Sequence, residues 1–249
     1  MQPTRNASHR VFIALDVDSE SKAIEIVREC SRFRVGFKIG LQLFTLGGPS
    51  LVSKIVDFGN PVFLDLKFHD IPNTVASAAA EATKLGVSIF NVHASGGGEM
   101  MLRTAEAVEN VSSQLSIERP KVIAVTVLTS SDTATLKGIG VESEVEPQVV
   151  RLARLAAESK MDGVVASARE ARVIRSEIND PNFLIVTPGI RPTNATKCAT
   201  NDDQKRVTTP GEAILAGATH LVIGRPVIVA PDRAHVLEQI LNEIETALQ

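Results

Sequence analysis

The chain has 249 residues, 44% of them hydrophobic and 22% charged, with a net charge of -3 at pH 7; this is the make-up of a folded globule and excludes a fibrous or disordered chain. The near-neutral balance gives no general reason to expect nucleic acid as a partner, so an anionic ligand would be held by local basic groups and backbone amides rather than by the field of the whole surface. Cys30 and Cys198 form no CxxC unit, which argues against a disulfide framework or a zinc site. No run approaches the length that spans a bilayer, and residues 1–10 are polar, without the apolar stretch of a signal peptide. A cytoplasmic, unanchored protein with a flexible N-terminus over residues 1–10 is expected.

Short apolar runs bounded by Gly, Pro or Asp alternate with segments of helical character, the pattern of a parallel sheet with crossover helices. In chain order the strands are predicted at Val11 to Leu15, Val35 to Ile39, Val62 to Leu66, Ser88 to Val92, Lys121 to Val127, Gly163 to Ala166, Leu184 to Thr187 and His220 to Ile223. Most are nearly continuous in Val, Ile, Leu and Phe, as strands covered on both faces require. Helices are predicted over Ser19 to Cys30, with Ala23, Val27 and Cys30 on one face, and over the Ala-rich stretch Asn73 to Leu85 after Pro72. Thr209-Pro210-Gly211-Glu212 reads as a helix start, and a last helix, Pro231 to Leu248, shows Val236, Ile240 and Ile244 on one side.

Eight strands alternating with helices predict an α/β fold, a (β/α)8 TIM barrel filling residues 1–249 as a single domain. A doubly wound open sheet shares the same local grammar, but no GxGxxG follows the first strand. The stretch from Gly189 to Thr208 has no obvious element, and a loop of that length in a compact domain points to function or disorder.

In such a barrel the site lies where the strands end. Asp16 follows the first strand, Lys38 lies in the second, Asp65 and Lys67 end the third, and Asp70 comes three residues later. Strand alternation points Asp65 and Lys67 the same way, with Leu66 opposite. A neutralising ion pair that closes the barrel end is the structural alternative, yet buried charge costs several kcal/mol per ion and is a poor source of stability, so the cluster leans to function. His93, ending the fourth strand within reach of the site, reads as a hydrogen-bonded structural residue before a site residue, and His69 reads similarly, though it is placed to shape the loop after the third strand. The segment Ile223-Gly224-Arg225-Pro226 ends the eighth strand, where barrels bind phosphate, and Arg225 offers a planar fork for its oxygens.

The run Leu64-Asp65-Leu66-Lys67-Phe68-His69-Asp70-Ile71-Pro72-Asn73-Thr74 closely resembles that of the orotidine 5'-phosphate decarboxylase family. So do Ala14-Leu15-Asp16, Phe37-Lys38-Ile39-Gly40, Asn91-Val92-His93-Ala94-Ser95-Gly96-Gly97, Thr126-Val127-Leu128-Thr129-Ser130, Pro188-Gly189-Ile190-Arg191-Pro192, Asp203-Gln204 and Val222-Ile223-Gly224-Arg225-Pro226. The resemblance implies conversion of orotidine 5'-phosphate to uridine 5'-phosphate in de novo pyrimidine biosynthesis, with no metal or organic cofactor, by a homodimer with shared sites. It implies an alternating array of Lys38, Asp65, Lys67 and the other subunit's Asp70, with Lys67 as proton donor. It also implies that Asp16 and Lys38 meet the ribose, Thr129 and Ser130 the pyrimidine, and Ile71 and Thr74 the neighbouring subunit's ligand. Arg191, Gly224 and Arg225 would meet the phosphate, and Gln204 would bridge phosphate and base as the long loop closes.

The nearest alternative is a magnesium-dependent sugar-phosphate lyase of the same superfamily, a keto-gulonate-phosphate decarboxylase or a hexulose-phosphate synthase. Those relatives resemble one another in an acidic residue where this chain has Lys38. An aldolase forming a Schiff base through Lys67 and a phosphate-ligand binding protein without activity are further alternatives.

Overall fold

The computed structural model describes residues 5–192 and 208–249. Eight parallel strands close into a barrel in sequence order, β1(Val11–Ala14), β2(Gly36–Gly40), β3(Val62–Phe68), β4(Ile89–His93), β5(Lys121–Val125), β6(Gly163–Val165), β7(Leu184–Thr187) and β8(His220–Ile223). The pairing of β1 with β8, Val11 opposite Leu221 and Ile13 opposite Ile223, excludes the open sheet. Among the described residues the helices are α1(Arg5–Ser8), α2(Glu20–Cys30), α3(Leu41–Val56), α4(Pro72–Lys84), α5(Gly98–Leu115), α6(Thr133–Gly138), α7(Val145–Glu158), α8(Ala168–Glu177), α9(Pro210–Leu215), α10(Arg225–Ile228) and α11(Arg233–Ala247). None of them is long and apolar enough to cross a membrane.

Local chemistry sets the helix starts. Ser19 caps α2 by accepting the Lys22 N–H at 3.3 Å, and Pro72 occupies the first turn of α4, where its missing N–H costs nothing. At α9 the Thr209 hydroxyl accepts from the Glu212 N–H and the Glu212 carboxylate from the Thr209 N–H, a reciprocal capping box. Helix α2 buries Ala23, Val27 and Cys30 as its spacing predicts, and Ile26 with them; burial pushes the Cys30 thiol up to about 11. Helix α11 buries Ile240 and Ile244, but beside Leu237 and Leu241, with Val236 only partly covered.

Most sequence boundaries hold to a residue or two. β5 ends at Val125 rather than Val127, and β3 runs on to Phe68. The start of the chain differs from expectation: Arg5–Ser8 form a helical turn, with Ala7 and Ser8 buried, where a flexible segment is expected.

Two apolar layers hold the barrel. Between sheet and helices lie Val11, Ile13, Phe37, Ile39, Phe90, Ile185 and their neighbours. Inside lies a smaller plug of Phe12, Ala14, Phe63, Ile89, Ile123, Val186 and Val222, with the Phe12 and Phe63 rings edge to face at 5.8 Å. Phe12 fits because β2 presents Gly36 beside it; a Cβ there would stand 2.4 Å from the ring. The plug fills the lower barrel and leaves the carboxyl ends of the strands for polar groups.

Candidate active site

Above the plug, the inward positions of β2 and β3 carry charge. Lys38 is buried and its Nζ lies 3.1 Å from Asp16 Oδ1 and 3.3 Å from Asp65 Oδ2. Lys67 Nζ lies 2.6 Å from the other oxygen, Asp65 Oδ1. The result is a continuous row, Asp16, Lys38, Asp65, Lys67, in which the two middle side chains are 10% and 13% exposed and the two outer ones 61% and 27%. Burial, the largest single influence on Asp65, opposes its ionisation. The charges of Lys38 and Lys67 and the hydrogen bonds from Lys67 and Asn91 outweigh it together, holding the carboxyl below the ordinary carboxylate range.

Asp65 and Lys67 meet, and Leu66 turns to the outer core, as alternation predicts. The backbone between them is not a regular strand, however. Lys67 has φ +54, left-handed, and the β3–β4 register breaks between Leu64 and Phe68. Asn91, fully buried on β4, fills the gap: its Oδ1 accepts the Lys67 N–H at 2.8 Å and its Nδ2 donates to Asp65 Oδ1 at 2.7 Å. Reading by residue type passed over Asn91. The available signal was a polar residue at the inward position between Ile89 and His93 in an otherwise apolar strand.

A cavity of ≈ 560 Å³ opens over this row, in the size range of small-molecule sites. Its lining brings together Asp16, Lys38, Asp65 and Lys67 with Thr129, Arg191, Gly224 and Arg225 from the opposite half of the chain. Arg191 is only 9% exposed, and its backbone N–H donates to the Thr208 carbonyl at 3.0 Å, so the base of the long loop is pinned to the barrel. Gly224 passes close to β1; a Cβ there would lie 3.4 Å from that of Ala14 and 3.5 Å from Asp16 Oδ2. The rest of the lining is apolar and includes Phe63, Val125, Val165 and Val222.

Four predicted site residues lie outside this lining. Ser130 is exposed beyond Thr129. Asp70, Ile71 and Thr74 are exposed where β3 passes into α4; the Asp70 carboxylate accepts its neighbour's Ile71 N–H at 2.7 Å, and Ile71 is 67% exposed. Gln204 and Cys198 lie outside the described residues. The His69 and His93 rings lie with centroids 5.5 Å apart, tilted by 36° to each other. Burial, then the neighbouring His69 and Lys67, lowers the His93 pKa. Among the described residues no three His, Cys, Asp or Glu side chains are grouped so as to hold a metal ion.

The model of the "Orotidine 5'-phosphate decarboxylase / HUMPS family" matches residues 9–240. The chain is similar to proteins named orotidine 5'-phosphate decarboxylase from Geobacter sulfurreducens, 55% identical over 239 residues with 96% of this chain and 97% of that one covered, and from Moorella thermoacetica, 47% identical over 241 residues with 96% and 94% covered. Among solved structures it is similar to the orotidine 5'-phosphate decarboxylase of Lactobacillus acidophilus, with a TM-score of 0.82, 34% identity and 95% and 99% of the two chains covered.

Proposed function

The chain belongs to the orotidine 5'-phosphate decarboxylase / HUMPS family, and from that premise we infer how its site works. It decarboxylates orotidine 5'-phosphate to uridine 5'-phosphate in de novo pyrimidine biosynthesis. The observation that carries the mechanism is the Lys67 ammonium, held on Asp65 at 2.6 Å at the edge of a cavity that Arg191, Gly224 and Arg225 also line.

Loss of carbon dioxide from C6 leaves an electron pair that the pyrimidine ring does not delocalise well. A stabilisation on the order of 20 kcal/mol is needed, near the upper end of enzymic catalysis. The C6–carboxyl bond breaks, its electron pair stays on C6, and a proton moves from Lys67 Nζ to that carbon. Lys67 thus stabilises the developing charge and then neutralises it; the amine left behind regains its proton from solvent. Asp65, between two lysines, fixes where that ammonium stands. Asp16 and Lys38 hold the ribose hydroxyls, Thr129 and Ser130 the pyrimidine, Arg191, Gly224 and Arg225 the phosphate, and Gln204 bridges phosphate and base. Phosphate binding energy gained far from C6 can then be used to hold the reacting end in place.

Asp70 completes the array from the partner of a homodimer, with Ile71 and Thr74 reaching the partner's ligand. Their exposure and their position outside their own chain's cavity support this reading. The substrate is a soluble nucleotide, and we assign the protein to the cytoplasm. The magnesium-dependent lyases of the same superfamily are disfavoured by Lys38, which occupies the place of their acidic residue. Measurement of carbon dioxide release from orotidine 5'-phosphate, with and without a chelator, tests the whole reading. Equal rates are expected, since fixed lysines provide the positive charge that a metal would otherwise supply. Loss of activity on chelation and its return with magnesium would transfer the chain to those lyases.

A further inference from the structure

Three observations converge on Asn91. Leu64 pairs with Phe90 and Phe68 with Val92, so that the single residue Asn91 stands opposite Asp65, Leu66 and Lys67. In that interval the ladder cannot satisfy every backbone group. Lys67 has φ +54, a conformation that a side chain with a Cβ disfavours and that persists only where its surroundings impose it. Asn91 is fully buried and uses both ends of its amide, accepting from the Lys67 N–H at 2.8 Å and donating to Asp65 Oδ1 at 2.7 Å.

The amide's orientation follows from chemistry. A backbone N–H can only donate, so the amide oxygen must face Lys67; an ionised carboxylate can only accept, so the NH2 must face Asp65. Of the side chains of this size, only the amide supplies an acceptor and a donor from one rigid plane without first taking up a proton. We propose that Asn91 is a positioning residue for the decarboxylation: its amide ties the left-handed backbone at Lys67 to the Asp65 carboxylate, so that the base of the Lys67 side chain and the anion its ammonium rests on are held in one frame. The bulge takes up the surplus length of β3, and Asn91 stands in for the missing ladder bonds. Asp65 Oδ1 receives both Lys67 Nζ and Asn91 Nδ2, and Lys38 lies against Oδ2. The inference deepens the decarboxylase reading and rests on it.

Two substitutions that keep the branched side-chain skeleton separate this role from plain packing. Asn91→Leu removes both hydrogen bonds. Displacement of a reacting group by about 1 Å costs on the order of 100-fold, and kcat is expected to fall by at least that factor while KM changes far less, because the phosphate contacts come from other elements of the barrel. Asn91→Asp keeps the acceptor for Lys67 but sets a second carboxylate against Asp65, and two such groups at hydrogen-bond distance share a proton. Its activity should therefore rise on acidification with a one-proton dependence that the wild-type enzyme lacks.

Aspartate labelled with 13C at the carboxyl, with the Asp65 signal identified through Asp65→Asn, gives a readout in ligand-free protein that needs no turnover. Its titration should move upward in both variants. Circular dichroism and thermal melting establish that each is folded, and Asn91→Asp, which replaces an NH2 by an oxygen, serves if Asn91→Leu does not fold. A kcat within about threefold of wild type per folded molecule, with the pH profile and the Asp65 titration unmoved, would overturn the proposal. A wild-type protein that releases no carbon dioxide would instead overturn the decarboxylase reading, and the titration would still judge the Asn91 frame.

Discussion

Asp65 is 13% exposed and carries a lysine on each oxygen, an arrangement whose desolvation cost a pair of well-packed apolar residues would avoid. Its net downward pKa shift keeps it ionised at neutral pH. The contribution of these contacts to stability is present above the ordinary carboxylate pKa and is lost only as the pH falls through the lowered value. At the other end of the barrel His220 behaves in the opposite sense. It is largely enclosed, its ring 5.9 Å from that of Phe12 and its Nδ1 3.0 Å from Thr219 Oγ1. Burial, then the nearby charges of Arg10 and His9, brings its pKa down to about 4. The unfolded chain therefore takes up a proton near pH 6.5 that the folded chain refuses until about pH 4, and stability present at neutral pH is lost across that window. The size is roughly 3 kcal/mol. Urea unfolding at pH 7 and pH 4 should show a loss larger by about that amount in the wild-type protein than in His220→Phe, which keeps a ring against Phe12 without the titration. Parallel losses in the two would assign the acid sensitivity to other groups.

At the level of elements, the strands differ in how much irregularity they bear. β3 bends at Lys67 to serve the site, whereas β6 is short, regular and tightly paired. Gly163 stands opposite Leu184 of β7, and a Cβ on it would come within 2.3 Å of the Leu184 carbonyl oxygen and 2.5 Å of its Cβ. The first of these contacts is with backbone, so relief requires the strands to part. Gly163→Ala is expected to destabilise the protein by about 2–3 kcal/mol, near the upper range for overpacking a core, as read from the urea midpoint. Its kcat should change little, because β6 faces the cavity through Val165 rather than Gly163. A midpoint within error of wild type would show that β6 and β7 have slack that their register does not suggest.

For the whole molecule the question is where Asp70 acts. Within one chain it bonds the Ile71 N–H and lies outside the cavity, which is the placement a shared site would require. If each site takes Lys67 from one subunit and Asp70 from the other, Lys67→Ala and Asp70→Ala homodimers are both nearly inactive. Mixed under subunit exchange, half the dimers are hybrids with one intact site of two, and roughly a quarter of wild-type activity should return. Should Asp70 serve its own chain, every site in the mixture is defective and nothing returns, even with exchange confirmed by mass spectrometry.

The eight-strand order, the helix caps and the charged strand ends were all present in the sequence, because each depends on residues close together in the chain. Apolar runs mark buried parallel strands, Thr209 and Glu212 cap a helix only three residues away, and Asp65 and Lys67 are two residues apart. The closure of β1 on β8, the meeting of Lys38 with Asp65 and the burial of Arg191 depend on strand register and tertiary packing, which local pattern does not encode. Asn91 shows the difference most clearly. Between Ile89 and His93 it reads as one polar residue in an apolar strand, and only the broken register of β3 beside it turns its amide into the tie between Lys67 and Asp65. Hydrogen bonds between residues more than twenty positions apart form only once packing has brought their strands together, and so the structure alone decided them.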